Sequence, residues 1–205
     1  MTEQKQQIIN LALEQFKRYG IRVVSIDDLS RLMGMSKKTF YLYFSGKDEL
    51  VSAVLEQMIA NVRTSAEKFM QGKSALDCIQ LIMQMHSKVD DVHKEPNFGH
   101  DLRKYYPKLY KEHVSHVHQA TKEILMRHLQ QGIDEGIYRS DLDVETCAVM
   151  YSLIQQAFVR NEDEIKSISP KRLIKFTMDS FLRSIISEKG VQMTKKIFIP
   201  ENNKV

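Results

Sequence analysis

Residues 25–44 read SIDDLSRLMGMSKKTFYLYF, and the rest of the chain is organised around this stretch. Ser25 followed by Asp28 is the S-x-x-D pattern of a helix start, whose side chains satisfy backbone N–H groups that the first turn leaves without partners. Ile26, Leu29, Leu32 and Met33 then recur at helical spacing as one apolar stripe. Gly34 stands where that helix must stop, because glycine accepts the left-handed backbone common just past a helix end. Ser36 is placed to cap a second helix, expected over residues 36–44. Two helices joined by a short turn containing glycine define a helix-turn-helix pair.

The second helix carries the chemistry. Phe40 and Phe44 lie four apart and are expected to face inward, which spreads Lys37, Lys38, Thr39, Tyr41, Leu42 and Tyr43 over the remaining faces. Lysines and hydroxyls suit phosphate oxygens and base edges, and Leu42 or the Thr39 methyl suits a thymine methyl. Spacing and composition alone fit a solvated amphipathic helix equally well.

A longer run of residues separates these readings. The chain from Ile8 to Leu50 resembles the DNA-binding domain of the TetR family of bacterial transcriptional regulators. The likeness rests on Ala12, Phe16 and Gly20, on Ser25, Ile26 and Leu29, and on Gly34-Met35-Ser36-Lys37. It continues through Thr39-Phe40-Tyr41, Phe44 and Lys47-Asp48-Glu49-Leu50. The resemblance implies an all-α protein with an N-terminal three-helix DNA-binding domain containing the helix-turn-helix, followed by a larger helical ligand-binding and dimerisation domain. The expected limits are 1–47 and 48–190, with a C-terminal tail over 191–205. It also implies Lys37, Lys38, Thr39 and Tyr43 at or near base edges, and Ser25, Tyr41 and Lys47 on phosphates. Leu42 stands where the family often has tyrosine, and Tyr43 where it often has histidine, so the operator sequence does not carry over.

Charge agrees with that assignment. Residues 1–47 hold eight Lys or Arg against four acids, and the whole chain has a formal charge of +4 at pH 7, so the remainder sums to zero. Net positive charge confined to one segment favours contact with phosphates through counterion release. The chain's 205 residues suit a small domain joined to a larger one. The amino terminus MTEQKQQ is polar, and no apolar run approaches the ~20 residues needed to span a membrane, so the cytoplasm is the expected address. Cys78 and Cys147 are isolated in helical patterns and are read as packing residues.

Around the pair, helices are expected over Gln4 to Tyr19, with Ile8, Leu11, Ala12, Phe16 and Tyr19 inside, and over Lys47 to Met70, with Leu50, Val54, Met58 and Val62 on one face. Ile21, Val23 and Val24 are expected to pack back on the three-helix core. Further helices follow over Ala75 to Val92, Phe98 to Tyr106, Lys108 to Asp134, Asp143 to Asn161, and from Pro170. The link GIYRSDLD reads as polar and turn-like, and the tail has no helical period. The last long helix is apolar nearly all round, so it must bury a second face. By the resemblance, residues 143–161 and 170–187 form a homodimer interface. A two-fold dimer presents two recognition helices ~34–36 Å apart and calls for a palindromic operator.

A cavity for a small, apolar effector is expected in the body, with Met83, His86, Phe98, Tyr105, Tyr106, Tyr110, Tyr151 and Phe158 as candidate lining residues. His113 and His116 are spaced to share a metal with a residue such as Asp101, although histidines on a wet helix face explain them as well. No cofactor is expected. The competing reading is a helical small-molecule-binding protein or enzyme without sequence-specific DNA binding. Against it, the chain lacks a G-x-S-x-G, a glycine-rich phosphate loop and an H-E-x-x-H.

Overall fold

The computed structural model describes residues 2–87, 98–160 and 169–198, without the side chains at 83–87, 155–160, 170–171 and 195–198. Ten helices are described: α1 Glu3–Tyr19, α2 Ile26–Leu32, α3 Lys37–Phe40, α4 Lys47–Met70, α5 Ala75–Ser87, α6 Phe98–Tyr105, α7 Pro107–Asp134, α8 Val144–Arg160, α9 Pro170–Ile185 and α10 Glu188–Phe198. No strand occurs among the described residues, and Tyr138 and Ile186 form one isolated antiparallel bridge. No described helix is long and apolar enough to cross a membrane.

The chain folds into two compact units, Met1–Arg63 with His93–Val117, and Thr64–Val92 with His118–Val205. Sequence order suggests a boundary at residue 47, but the packing sets a different one. In the first unit α6 supplies Phe98 and Leu102 to the same core as Ile8, Phe16, Leu29, Phe40, Phe44, Leu50 and Val54. A three-helix domain is too small to bury much surface alone, and these added apolar side chains enlarge its core. Asp101 of α6 also accepts a 2.9 Å hydrogen bond from the Arg22 backbone N–H, which satisfies a donor in the turn between α1 and α2.

Local signals explain the helix ends. Ser25 Oγ accepts from Asp28 N–H at 3.1 Å while Asp28 Oδ2 accepts from Ser25 N–H at 3.1 Å, a reciprocal capping box. The Ser25 hydroxyl, and after it the Ser25 backbone N–H, both donate to Asp28 Oδ2 and hold that carboxyl below its usual range. Gly34, at φ 65°, closes α2 with a double hydrogen bond: Gly34 N–H to Arg31 O and Met35 N–H to Ser30 O. Replacing Ser25 with Ala removes the cap acceptor and is expected to cost the first unit ~1 kcal/mol in urea unfolding.

Several side chains expected inside stand outside. The inward stripe of α2 narrows to buried Leu29 and half-buried Ile26 and Met33, which are three and four apart, and Leu32 falls to one side and is exposed. Tyr19, Val23 and Val62 are also exposed. Ile21 and Val24, three apart across a turn, are the residues of their segment that reach the core.

The second unit has its own core of Ala75, Ile79, Leu129, Ile137, Tyr138, Leu182 and Ile185. The segment expected to be a polar link is anchored instead. Gly136, at φ 72°, ends α7 with hydrogen bonds from Gly136 N–H to Ile133 O and from Ile137 N–H to Gly132 O, and this reversal drives Ile137 and Tyr138 into the core. The tail corrects in the same direction: residues 188–198 form α10, where Gly190 approaches the Ile137 carbonyl and Thr194 is buried. Residues 199–205 lie outside the described residues.

Candidate nucleic-acid interface and effector cavity

The helix-turn-helix surface is set by what α3 buries. Phe40 and Phe44 are fully buried with ring centroids 5.7 Å apart, locking the inner face into the first core. The helix is shorter than expected, four residues followed by a tight turn. Leu42 N–H donates to Thr39 O and Tyr43 N–H to Phe40 O, so the last turn winds as 3₁₀.

The outward side then follows. Leu42 is 76% exposed, and Tyr41, Lys38 and Lys37 are exposed beside it. Lys37 is ion-paired with Asp27, which raises its pKa. Lys38 makes no ion pair among the described residues. Thr39 and Ser36 share a hydroxyl hydrogen bond of 2.8 Å at the helix start.

Three candidate contacts also have partners within the protein. Tyr43, expected near base edges, is carried by the tightened turn against the first core and donates to Gln4 Oε1 at 2.6 Å. The Ser25 hydroxyl donates to Asp28 Oδ2 at 2.6 Å as part of its cap. Lys47 Nζ lies 3.4 Å from the Arg22 carbonyl; burial lowers its pKa, opposed by Asp101, Asp28 and Asp48.

The cavity of the second unit has a volume of about 190 Å³ and lies among α4, α5, α7, α8, α9 and Tyr138. Phe69, Ile79, Leu125, Phe181 and Leu182 supply hydrocarbon, and Thr121, Cys78, His128, Tyr138 and Tyr151 are the lining residues that carry a polar side-chain atom. Tyr151 is the one described residue of the expected set on this wall. Phe98, Tyr106 and Tyr110 instead pack with the first core, and Tyr105 is exposed and accepts from Arg22 Nη1 at 2.9 Å. Their spacing is helical, but their apolar face is claimed by the N-terminal helices. The side chains of Met83, His86 and Phe158 lie outside the described residues. Cys78 is buried in the wall as a free thiol with its pKa raised by burial, and Cys147 is free and partly exposed. His113 is partly buried and His116 exposed, and no group of three or more potential metal ligands occurs among the described residues.

Sequence reading missed His128 and Tyr138. The available signal was Gly132 and Gly136 just before Tyr138: a small residue beside a large aromatic marks a close approach.

An outward cationic and apolar face on a buried aromatic anchor, in an all-helical chain, is the arrangement with which helix-turn-helix proteins meet DNA. Residues 8–54 match the family described as bacterial regulatory proteins, tetR family. Over 84 residues the chain is 33% identical to the uncharacterized HTH-type transcriptional regulator YvaF of Bacillus subtilis, a match covering 40% of this chain and 44% of that relative. It is 22% identical over 144 residues to the HTH-type transcriptional repressor KstR2 of Rhodococcus jostii, covering 68% of this chain and 70% of that one. A solved transcriptional regulator from Cytophaga hutchinsonii shares the fold with a TM-score of 0.70 at 19% identity, covering 91% and 100% of the two chains. Reduced NemR of E. coli does so with a TM-score of 0.65 at 13% identity, covering 91% and 98%. Residues 8–54 thus carry the likeness to the DNA-binding domain of the TetR family, and the chain as a whole shares its fold with these solved regulators.

Proposed function

We propose that the protein is a ligand-responsive repressor that binds a palindromic operator in double-stranded DNA as a homodimer, in the cytoplasm, and leaves it when a small apolar effector fills the cavity of the second unit. One observation carries this reading: Lys38, Tyr41 and Leu42 stand outward on α3 and the turn that follows it, while Phe40 and Phe44 of the same segment are locked in the core. Lys38 and Leu42 are one turn apart and meet base edges, Lys38 by hydrogen bonding and Leu42 by contact with a thymine methyl. Tyr41, Ser25 and Lys47 meet phosphates, and Lys37 and Thr39 lie at the edge of the same surface.

Dimerisation uses residues 143–161 and 170–187. Val149, Met150 and Leu153 expose one side of α8, and Phe176 on α9 is 70% exposed, an unusual position for so large an apolar ring. Covering these groups with a symmetry mate buries them and sets two α3 helices on one face of DNA. Release follows if the effector binds better to a state of the protein that binds DNA poorly.

Selection of bound sequences from random duplexes tests this reading. A palindrome with half-sites one or more helical turns apart is expected, and no enrichment would support a helical small-molecule-binding protein instead. On the selected duplex, Lys47→Ala is expected to weaken specific and nonspecific binding alike and to lower the salt slope by about one. Lys38→Ala is expected to cost ~1–3 kcal/mol and relax preference at one position of each half-site, read by competition with single-base variants.

A further inference from the structure

The cavity wall of the second unit is chemically uneven. Among the described residues no Lys, Arg, Asp or Glu belongs to it, and most of its surface is hydrocarbon. Between two of its lining residues, His128 Nε2 and Tyr138 Oη lie 2.6 Å apart, with the rings edge to face at 5.6 Å. Tyr138 is held by the backbone as well as by packing, since its N–H donates to Gly132 O at 3.0 Å. The pair therefore has a fixed place in the wall.

Burial keeps both groups neutral at pH 7. It lowers the His128 pKa below the ordinary 6.5, against a smaller opposing effect of Glu135, and raises that of Tyr138 above the ordinary 10. A neutral imidazole has one donor and one acceptor nitrogen. With the proton on Nδ1, Tyr138 donates to Nε2, and the phenol oxygen keeps lone pairs for a ligand donor. With the proton on Nε2, that nitrogen donates to the phenol oxygen, and the Tyr138 O–H is available to a ligand acceptor. The pair answers either kind of neutral polar group, but the described residues of the wall offer no countercharge to an ion, whose burial is costly without one. The volume lies below the ~300–1,000 Å³ usual for drug-sized ligands, which favours a molecule of modest size.

We propose that the ligand of this cavity is a neutral, mostly hydrocarbon molecule whose single hydroxyl or carbonyl group hydrogen-bonds to Tyr138 Oη, with His128 setting the direction of that bond. The inference rests on the cavity's being the effector site and names the chemical class that fits it.

The test is calorimetric titration of the full chain, without DNA, with 1-octanol, 2-octanone, octanoate and octylammonium. Octanol and octanone are expected to bind, and the two ions at least tenfold more weakly. Tyr138→Phe keeps the ring and removes the oxygen; it is expected to weaken octanol and octanone about three- to tenfold with helical content unchanged. His128→Gln, which retains a donor and an acceptor, is expected to keep the order of the four probes and secures the test if the first variant folds poorly. Equal or tighter binding of an ion, failure of all four probes, or unchanged affinities in folded Tyr138→Phe would overturn the proposal. A separate titration on DNA keeps the two readings apart. Neutral probes that bind without releasing DNA would uphold this ligand class and overturn the repressor reading, whereas release by the ions alone would do the reverse.

Discussion

Replacing Phe40 with Ala is expected to abolish DNA binding by unfolding the α2–α3 pair, without removing any group that faces DNA. Phe40 is fully buried, stacked near Phe44 and surrounded by side chains from α1, α2 and α4. Truncation of a buried Phe costs ~3–5 kcal/mol, through lost transfer energy and the cavity left behind. That is a large fraction of the ~5–15 kcal/mol that holds a typical domain folded. α3 is only four residues long and has little helical stability of its own, so its position depends on this packing. Leu42→Ala, on the opposite side, is the matched comparison. Leu42 is exposed, so its truncation should change stability by less than ~0.5 kcal/mol while weakening operator binding. Urea unfolding beside DNA titration checks both variants. Equal stability loss in the two would contradict the assigned faces of α3.

Gly132→Ala is expected to be the most damaging single-methyl change in the second unit. A Cβ at this position would lie 2.1 Å from Tyr138 Cδ2 and 2.2 Å from Tyr138 Cε2. The ring has nowhere to retreat, because the Ile137 and Tyr138 N–H groups both bond to the Gly132 carbonyl and Tyr138 is fully buried. Overpacking of this kind costs ~1–3 kcal/mol or more, which outweighs the ~1 kcal/mol that alanine gains over glycine inside a helix. A net loss of up to about 2 kcal/mol is expected, with loss of octanol binding as Tyr138 is displaced. A double-mutant cycle isolates the cause: in a Tyr138→Ala background the same change should cost little or nothing. An undiminished cost there would place the damage elsewhere.

The recognition pair was legible because its signals are local. Ser25, Asp28, Gly34 and Ser36 act through hydrogen bonds to their own neighbours, so the residues alone place the helix ends. Phe40 and Phe44 were equally readable from their spacing. The length of α3 was not, because the tightening after Phe40 depends on packing of Tyr43 against α1. Nor was the allocation of α6 to the first unit, since the periodicity of Phe98 and Leu102 says that a face is buried but not against what. The same limit misplaced Tyr106 and Tyr110 in the cavity. Residues 137–138 looked polar by company, and only the backbone reversal at Gly136 carries them inside.

The most direct test of the central claim compares the affinity of the full chain for its selected duplex and for a scrambled duplex of the same length and composition, at salt concentrations from ~50 to ~200 mM. The account predicts that both affinities fall steeply with salt through counterion release, while the selected duplex is held ~10³-fold or more tightly at each concentration. Equal affinity for the two duplexes, with only the shared salt dependence, would mean that the outward face of α3 does not read sequence, and would contradict the account.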